Sequence, residues 1–220
     1  MTEDRLIVAL DLPTLEKARE MVRLLKPVVK IFKIGLRLFT ASGPKVVEMV
    51  HAEGGKVFLD LKFHDIPNTV AQACESAVAL GVSMLNVHAS GGAEMLTAAA
   101  TAVKGRAKLI GVTVLTSQQV STPDDVLRLA LLCRESGLDG VVCSPRETSQ
   151  VREKLGKGFL ILTPGIRPAG YKGGDDQKRI DTPQNAIRAG SNFLVIGRPI
   201  LQSADPIATV REILQEIVTI

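Results

Sequence analysis

Eight short apolar runs rich in Val, Ile and Leu recur along the chain, and this rhythm limits the fold more than any other feature. They occupy residues 6–10, 31–34, 57–59, 84–87, 109–114, 140–143, 159–162 and 193–196. Successive runs lie roughly 20–33 residues apart, the length of a strand, a helix and two loops. Helical patterns fill the intervals, at 15–25, 44–52, 69–80, 92–103, 124–136, 144–155, 182–189 and 206–218. In the first of these, Ala18, Met21, Val22 and Leu25 fall at the 3–4 spacing of one helix face, and Thr14 stands where an N-cap belongs. Gly81, Gly137 and Gly190 each follow a helical segment, where a glycine ends a helix most easily. Eight β/α units predict an α/β fold, a single (β/α)8 TIM barrel forming one domain over residues 1–220. A doubly wound sheet is the alternative, but the first strand is not followed by GxGxxG.

Composition supports the same class. With 45% hydrophobic residues, no Trp and one Tyr, the core has to be aliphatic, as buried parallel strands usually are. The net charge of +4 comes from scattered lysines and arginines, with no basic arm and no aromatic–basic interleaving. Nucleic acid is therefore not expected as a partner, whereas an acidic small molecule suits the balance. Cys74, Cys133 and Cys143 are widely spaced and odd in number, which points to small buried side chains rather than disulfides or a zinc site. No signal peptide and no membrane-length apolar run is read, so a cytoplasmic protein without a membrane partner is expected.

Barrels of this kind gather their chemistry at the C-terminal ends of the strands. Those ends carry Asp11, Lys33, Asp60 with Lys62, His88, Thr113, Ser144, Arg167 and the pair Gly197 and Arg198. Charged groups just beyond buried strands are costly unless they pair or react. The densest block is DLKFHDIPNT over residues 60–69. Strand alternation points Asp60 and Lys62 to one side, and Lys33 on the neighbouring strand falls close to both. Such an array keeps each ammonium and carboxylate ionised; a purely structural ion-pair network is the alternative reading. His64 and His88 are acid/base candidates, with packing or orientation as the plainer role. No Ser-His-Asp or Cys-His order appears at the strand ends, which argues against covalent acyl chemistry.

The last two strand ends carry a second signal. TPGIR at 163–167 opens a glycine-rich stretch from Gly170 to Gln177, and strand eight ends in Gly197 and Arg198 before a new helix. Backbone N–H groups there, with two arginines, form a candidate phosphate cradle.

Six segments in order, ALD at 9–11, FKIG at 32–35, the block at 60–69, NVHA at 86–89, TPGIR at 163–167 and VIGR at 195–198, resemble the orotidine 5′-monophosphate decarboxylase family in its compact microbial form. The resemblance covers essentially the whole chain. It implies decarboxylation of orotidine 5′-monophosphate to UMP in pyrimidine biosynthesis, with no cofactor and no metal. It also implies residue roles. Lys62 protonates C6 of the pyrimidine, Asp60 lies against the substrate carboxylate, and Lys33 and Asp65 complete a Lys-Asp-Lys-Asp array. Asp65 and Thr69 come from the other subunit of a homodimer. Asp11 and Lys33 hold ribose hydroxyls, Thr116 contacts the pyrimidine edge, and Gln177, Gly197 and Arg198 bind phosphate, with Arg167 in the same region. Related barrels that act on phosphorylated keto-sugars with Mg²⁺ carry Glu where this chain has Lys33, and a lysine there repels a divalent ion. A non-catalytic nucleotide-binding barrel would use the phosphate cradle but leave the Lys-Asp array unexplained.

Overall fold

A computed structural model describes residues 5–115, 123–168, 171 and 181–218. Each apolar run seen in the sequence forms a strand: β1 Leu6–Ala9, β2 Ile31–Gly35, β3 Lys56–Phe63, β4 Met84–His88, β5 Lys108–Val112, β6 Gly140–Val142, β7 Leu160–Thr163 and β8 Phe193–Ile196. All pair in parallel in sequence order, and β8 closes on β1 through Leu6↔Leu194 and Ile7↔Val195. The result is a (β/α)8 barrel.

The helices are α1 Leu15–Leu25, α2 Leu36–Ser42, α3 Lys45–Ala52, α4 Pro67–Ala79, α5 Gly92–Val103, α6 Pro123–Glu135, α7 Pro145–Leu155, α8 Pro183–Arg188, α9 Arg198–Leu201 and α10 Pro206–Val218. Thr14 caps α1 as expected, its hydroxyl accepting the N–H of Lys17 at 3.3 Å. Gly81 and Gly137 take positive φ of 77° and 85° just past α4 and α6, a conformation other L-residues resist. α2 has no counterpart in the sequence pattern. Its seven residues bury Leu38 but leave Leu36 58% exposed, so no helical stripe develops. The new helix after Gly197 is the single turn α9, and the helix expected at 206–218 forms as α10 with those bounds.

Two apolar layers result. Ala18, Val22, Val47, Leu96 and Ile213 belong to the larger one, where the helices cover the barrel's outer face. The smaller one fills the barrel with Ile7, Ala9, Ile31, Phe58, Met84, Ile110, Leu162 and Val195. Because strand side chains alternate, the next inward positions above Ile31, Phe58 and Met84 are Lys33, Asp60 and Asn86. These polar side chains thus stand directly on a close-packed hydrocarbon floor.

Candidate active site

A cavity of about 260 Å³ opens at the C-terminal end of the barrel, lined by Asp11, Lys33, Asp60, Lys62 and Asn86 on one side. Pro164, Gly165, Arg167, Gly197 and Arg198 line the other, and Ala9, Phe58, Val112, Val142 and Val195 contribute apolar wall.

Asp60 is the hub of the first side. Only 7% exposed, it accepts from Lys33 Nζ at 2.8 Å, from Lys62 Nζ at 2.6 Å and from Asn86 Nδ2 at 2.7 Å. Lys33 Nζ also lies 3.8 Å from Asp11 Oδ1, extending the chain of alternating charge. Burial by itself would raise the Asp60 carboxyl, but the ammoniums of Lys33 and Lys62 and their hydrogen bonds outweigh it and hold Asp60 well below the usual carboxylate range. Burial would likewise lower Lys33, yet Asp60 and Asp11 raise it above the ordinary lysine value. The site therefore keeps Asp60 and Lys33 charged across neutral pH.

Lys62 reaches Asp60 by an unusual backbone. Its φ is 53°, a left-handed value rare for a residue with a side chain. Register between β3 and β4 shifts at the same place: Leu59 pairs with Leu85, but Phe63 pairs with Val87. β3 thus advances four residues while β4 advances two, a bulge inside the block at 60–69. Asp60 and Lys62 share the mouth as expected, but through this bulge rather than through simple alternation. The Lys62 N–H donates to Asn86 Oδ1 at 2.8 Å.

Asn86 lies in the NVHA segment at 86–89, and its part in the site is not legible from the sequence alone. The available signal was a lone amide inside the apolar run of β4, now 1% exposed. An amide so placed needs partners on both its donor and acceptor ends.

Asp65 and Thr69 do not join this cluster within the chain. Both are exposed, and the Asp65 carboxylate accepts the N–H of Ile66 at 2.7 Å. His64 and His88 pack ring against ring, with centroids 5.5 Å apart and planes tilted by 35°. Burial, then His64 and Lys62, lowers the pKa of His88, against the pull of Asp60. Two other strand-end hydroxyls are used locally: Thr113 donates to the Val142 carbonyl at 2.8 Å, and Ser144 donates to Glu147.

On the second side Arg167 is buried, donates through Nη1 to the Ile166 carbonyl at 2.8 Å, and sits 5.6 Å from the centroid of the Tyr171 ring. Gly197 closes the wall over β1. A Cβ at Gly197 would lie 3.3 Å from that of Ala9 and 3.6 Å from Asp11 Oδ2, so a side chain there would crowd the mouth. Arg198 opens α9 beside it. Thr116 and Gln177 lie outside the described residues.

Comparison with known proteins covers nearly the whole length. Residues 4–213 match the model of the orotidine 5′-phosphate decarboxylase / HUMPS family. An orotidine 5′-phosphate decarboxylase from Moorella thermoacetica is 51% identical over 98% of this chain and 92% of its own. One from Nitrosospira multiformis is 52% identical over 94% of this chain and 90% of its own. The crystal structure of orotidine 5′-phosphate decarboxylase from Lactobacillus acidophilus superposes with a TM-score of 0.84 at 36% identity, covering 97% of this chain and 99% of that one.

Proposed function

The chain belongs to the orotidine 5′-phosphate decarboxylase / HUMPS family, and from that premise we propose how its residues convert orotidine 5′-monophosphate to UMP and CO2. The enzyme is a carboxy-lyase of pyrimidine biosynthesis. The observation that carries the residue assignment is the Lys33–Asp60–Lys62 chain, held at 2.8 and 2.6 Å inside the mouth cavity.

Breaking the bond from C6 to the carboxylate leaves an electron pair on C6, in an orbital the ring does not delocalise well. Lys62 Nζ supplies a positive charge whose attraction grows as negative charge moves onto carbon, so it favours the transition state over the ground state. Its proton then passes to C6 and UMP forms; water returns a proton to the amine. Asp60 orients the Lys62 ammonium and lies against the departing carboxylate. Lys33 balances Asp60 and, with Asp11, holds ribose hydroxyls. The ion pairs and the Asn86 amide hold these groups in place, which supports a reaction needing little reorganisation.

Arg167, Gly197 and Arg198 take the phosphate. Its binding energy is spent far from the bond that breaks, on orienting the pyrimidine over Lys62. The basic second side of the cavity supports this division of labour. Lys33 also supports a reaction that needs no cofactor or divalent ion, since an ammonium occupies the place where an acidic ligand would be needed.

The active form is a homodimer in which Asp65 and Thr69 complete the partner's site, and residues 1–220 act as one catalytic domain. The exposure of both residues beside Ile66, itself 66% exposed, supports that contact. Mixing inactive Lys62→Ala and Asp65→Asn chains under exchange should restore about a quarter of wild-type activity, because half the chains pair unlike and one site in each such pair is intact. No recovery would leave Asp65 without a role across an interface. The cytoplasm is the proposed compartment: Cys74, Cys133 and Cys143 are buried and form no disulfide, as a reducing environment allows, and burial pushes Cys74 and Cys133 up to about 12. Among the described residues no helix is long and apolar enough to cross a membrane.

Loss of orotidine 5′-monophosphate absorbance with EDTA present tests the whole reading. Rapid formation of UMP is expected. No turnover until Mg²⁺ is returned would overturn the metal-free mechanism.

A further inference from the structure

We infer that Asn86 is a positioning residue for the decarboxylation, its side-chain amide clamping the left-handed backbone at Lys62 while fixing the carboxylate that Lys62 pairs with. The inference rests on the assignment of Lys62 as proton donor. A residue with a side chain at φ 53° relaxes toward the extended region unless its surroundings hold it. Here the hold is specific. Asn86 Oδ1 accepts the Lys62 N–H at 2.8 Å, and Asn86 Nδ2 donates to Asp60 Oδ1 at 2.7 Å. The same Asp60 oxygen takes Lys62 Nζ at 2.6 Å. One planar amide thus closes a ring through the backbone and the side chain of Lys62, and both ends must be correct for the ring to close.

The amide is also the right chemistry for the place. Asn86 is 1% exposed on β4, between Asp60 of β3 and Ile110 of β5. A carboxylate there would repel Asp60, and an alkyl side chain would leave the Lys62 N–H and an Asp60 lone pair without their partner. The charged and titratable groups around it are Asp60, Lys33 and Lys62, with His88 two residues on and His64 against it. Asn86 touches Lys62 and Asp60 rather than the reacting atoms, so its influence passes through them.

Two near-isosteric substitutions separate positioning from mere packing. Asn86→Leu keeps the branching at Cγ and loses both bonds. Its kcat should fall about 100-fold while KM stays within about threefold, since misplacement by an ångström is enough for such a loss. A crystal structure of this variant should show Lys62 leaving positive φ. Asn86→Asp keeps the shape, and only its neutral acid can both donate to Asp60 and accept from the Lys62 N–H. Its kcat should therefore rise by about tenfold per pH unit as pH falls toward the pKa of the new acid. Wild type and Asn86→Leu, which retain His88 and His64, should lack that limb. Wild-type kcat in Asn86→Leu, or an Asn86→Asp profile that follows wild type, would overturn the inference. Should Asn86→Leu fail to fold, the Asn86→Asp profile decides. Wild-type protein that leaves orotidine 5′-monophosphate untouched would strike the assigned reaction instead. The Lys62 backbone in the Asn86→Leu crystal would then settle the clamp: relaxed φ upholds it, unchanged φ removes it.

Discussion

The two sides of the barrel mouth bind charge in different ways. On the β2–β4 side the charged groups ride on strand residues, and each already has an opposite charge or an amide within hydrogen-bonding reach. On the β7–β8 side the groups sit on the segment after β7 and on the single turn α9. The first arrangement is preorganised for a reaction in which geometry decides the rate. The second is basic, with Arg167 buried and Arg198 partly exposed at the mouth, which suits capture of a dianion. Under the proposed roles, catalysis is placed on the barrel's rigid ladder, whereas affinity is placed on its connections.

That contrast is broken most severely at Lys62. Lys62→Ala should lower kcat by more than about 10⁴-fold, because proton donation and electrostatic stabilisation vanish together. UMP binding measured by calorimetry should persist. Residual turnover within about 100-fold of wild type would show that another group carries the proton. At the other side, Arg198→Ala should lower kcat/KM by roughly 10–1000-fold, equivalent to about 1.4–4 kcal/mol. An unchanged kcat/KM would remove Arg198 from the phosphate site.

Salt should sharpen the comparison at smaller amplitude. Raising ionic strength from about 0.01 to 0.5 M should weaken UMP binding several-fold through the partly exposed Arg198, while kcat at saturating substrate changes by less than about twofold. Equal sensitivity of both would mean that the Lys-Asp array is as open to solvent as Arg198.

Smaller still are the effects on stability. The depressed Asp60 carboxyl stabilises the fold fully above its unfolded value of about 3.9, and this contribution is lost as pH falls through the lower folded value. Lys33, raised in the fold, contributes fully below about 10.4 and loses its contribution as pH rises through its folded value. Melting curves of Asp60→Asn should therefore show a flatter acid limb than wild type; an identical limb would place the acid sensitivity elsewhere.

Much of this molecule could be read from its sequence because the repeated unit is simple. All eight apolar runs became strands, and Thr14, Gly81 and Gly137 acted as helix punctuation. Lys33, Asp60 and Lys62 were visible because charge at the top of a buried strand is expensive. α2 escaped because seven residues with one buried Leu carry no period. The β3 bulge escaped because a left-handed lysine leaves no compositional mark; glycine or asparagine would have. Asn86 escaped because a single amide within a strand has meaning only once the atoms across from it are known.

The left-handed φ of Lys62 also sets a conflict between activity and robustness at a single position. Backbone strain of this type costs about 1–2 kcal/mol for most residues bearing a Cβ, and glycine escapes it. At most sites glycine loosens a protein relative to alanine; here the order should invert, with Lys62→Gly melting above Lys62→Ala although both are inert. Selection for stability alone would push this position toward a residue that cannot deliver a proton. On the proposed assignment of Lys62 as proton donor, the lysine records a catalytic demand that outweighs folding preference, legible in a single torsion angle.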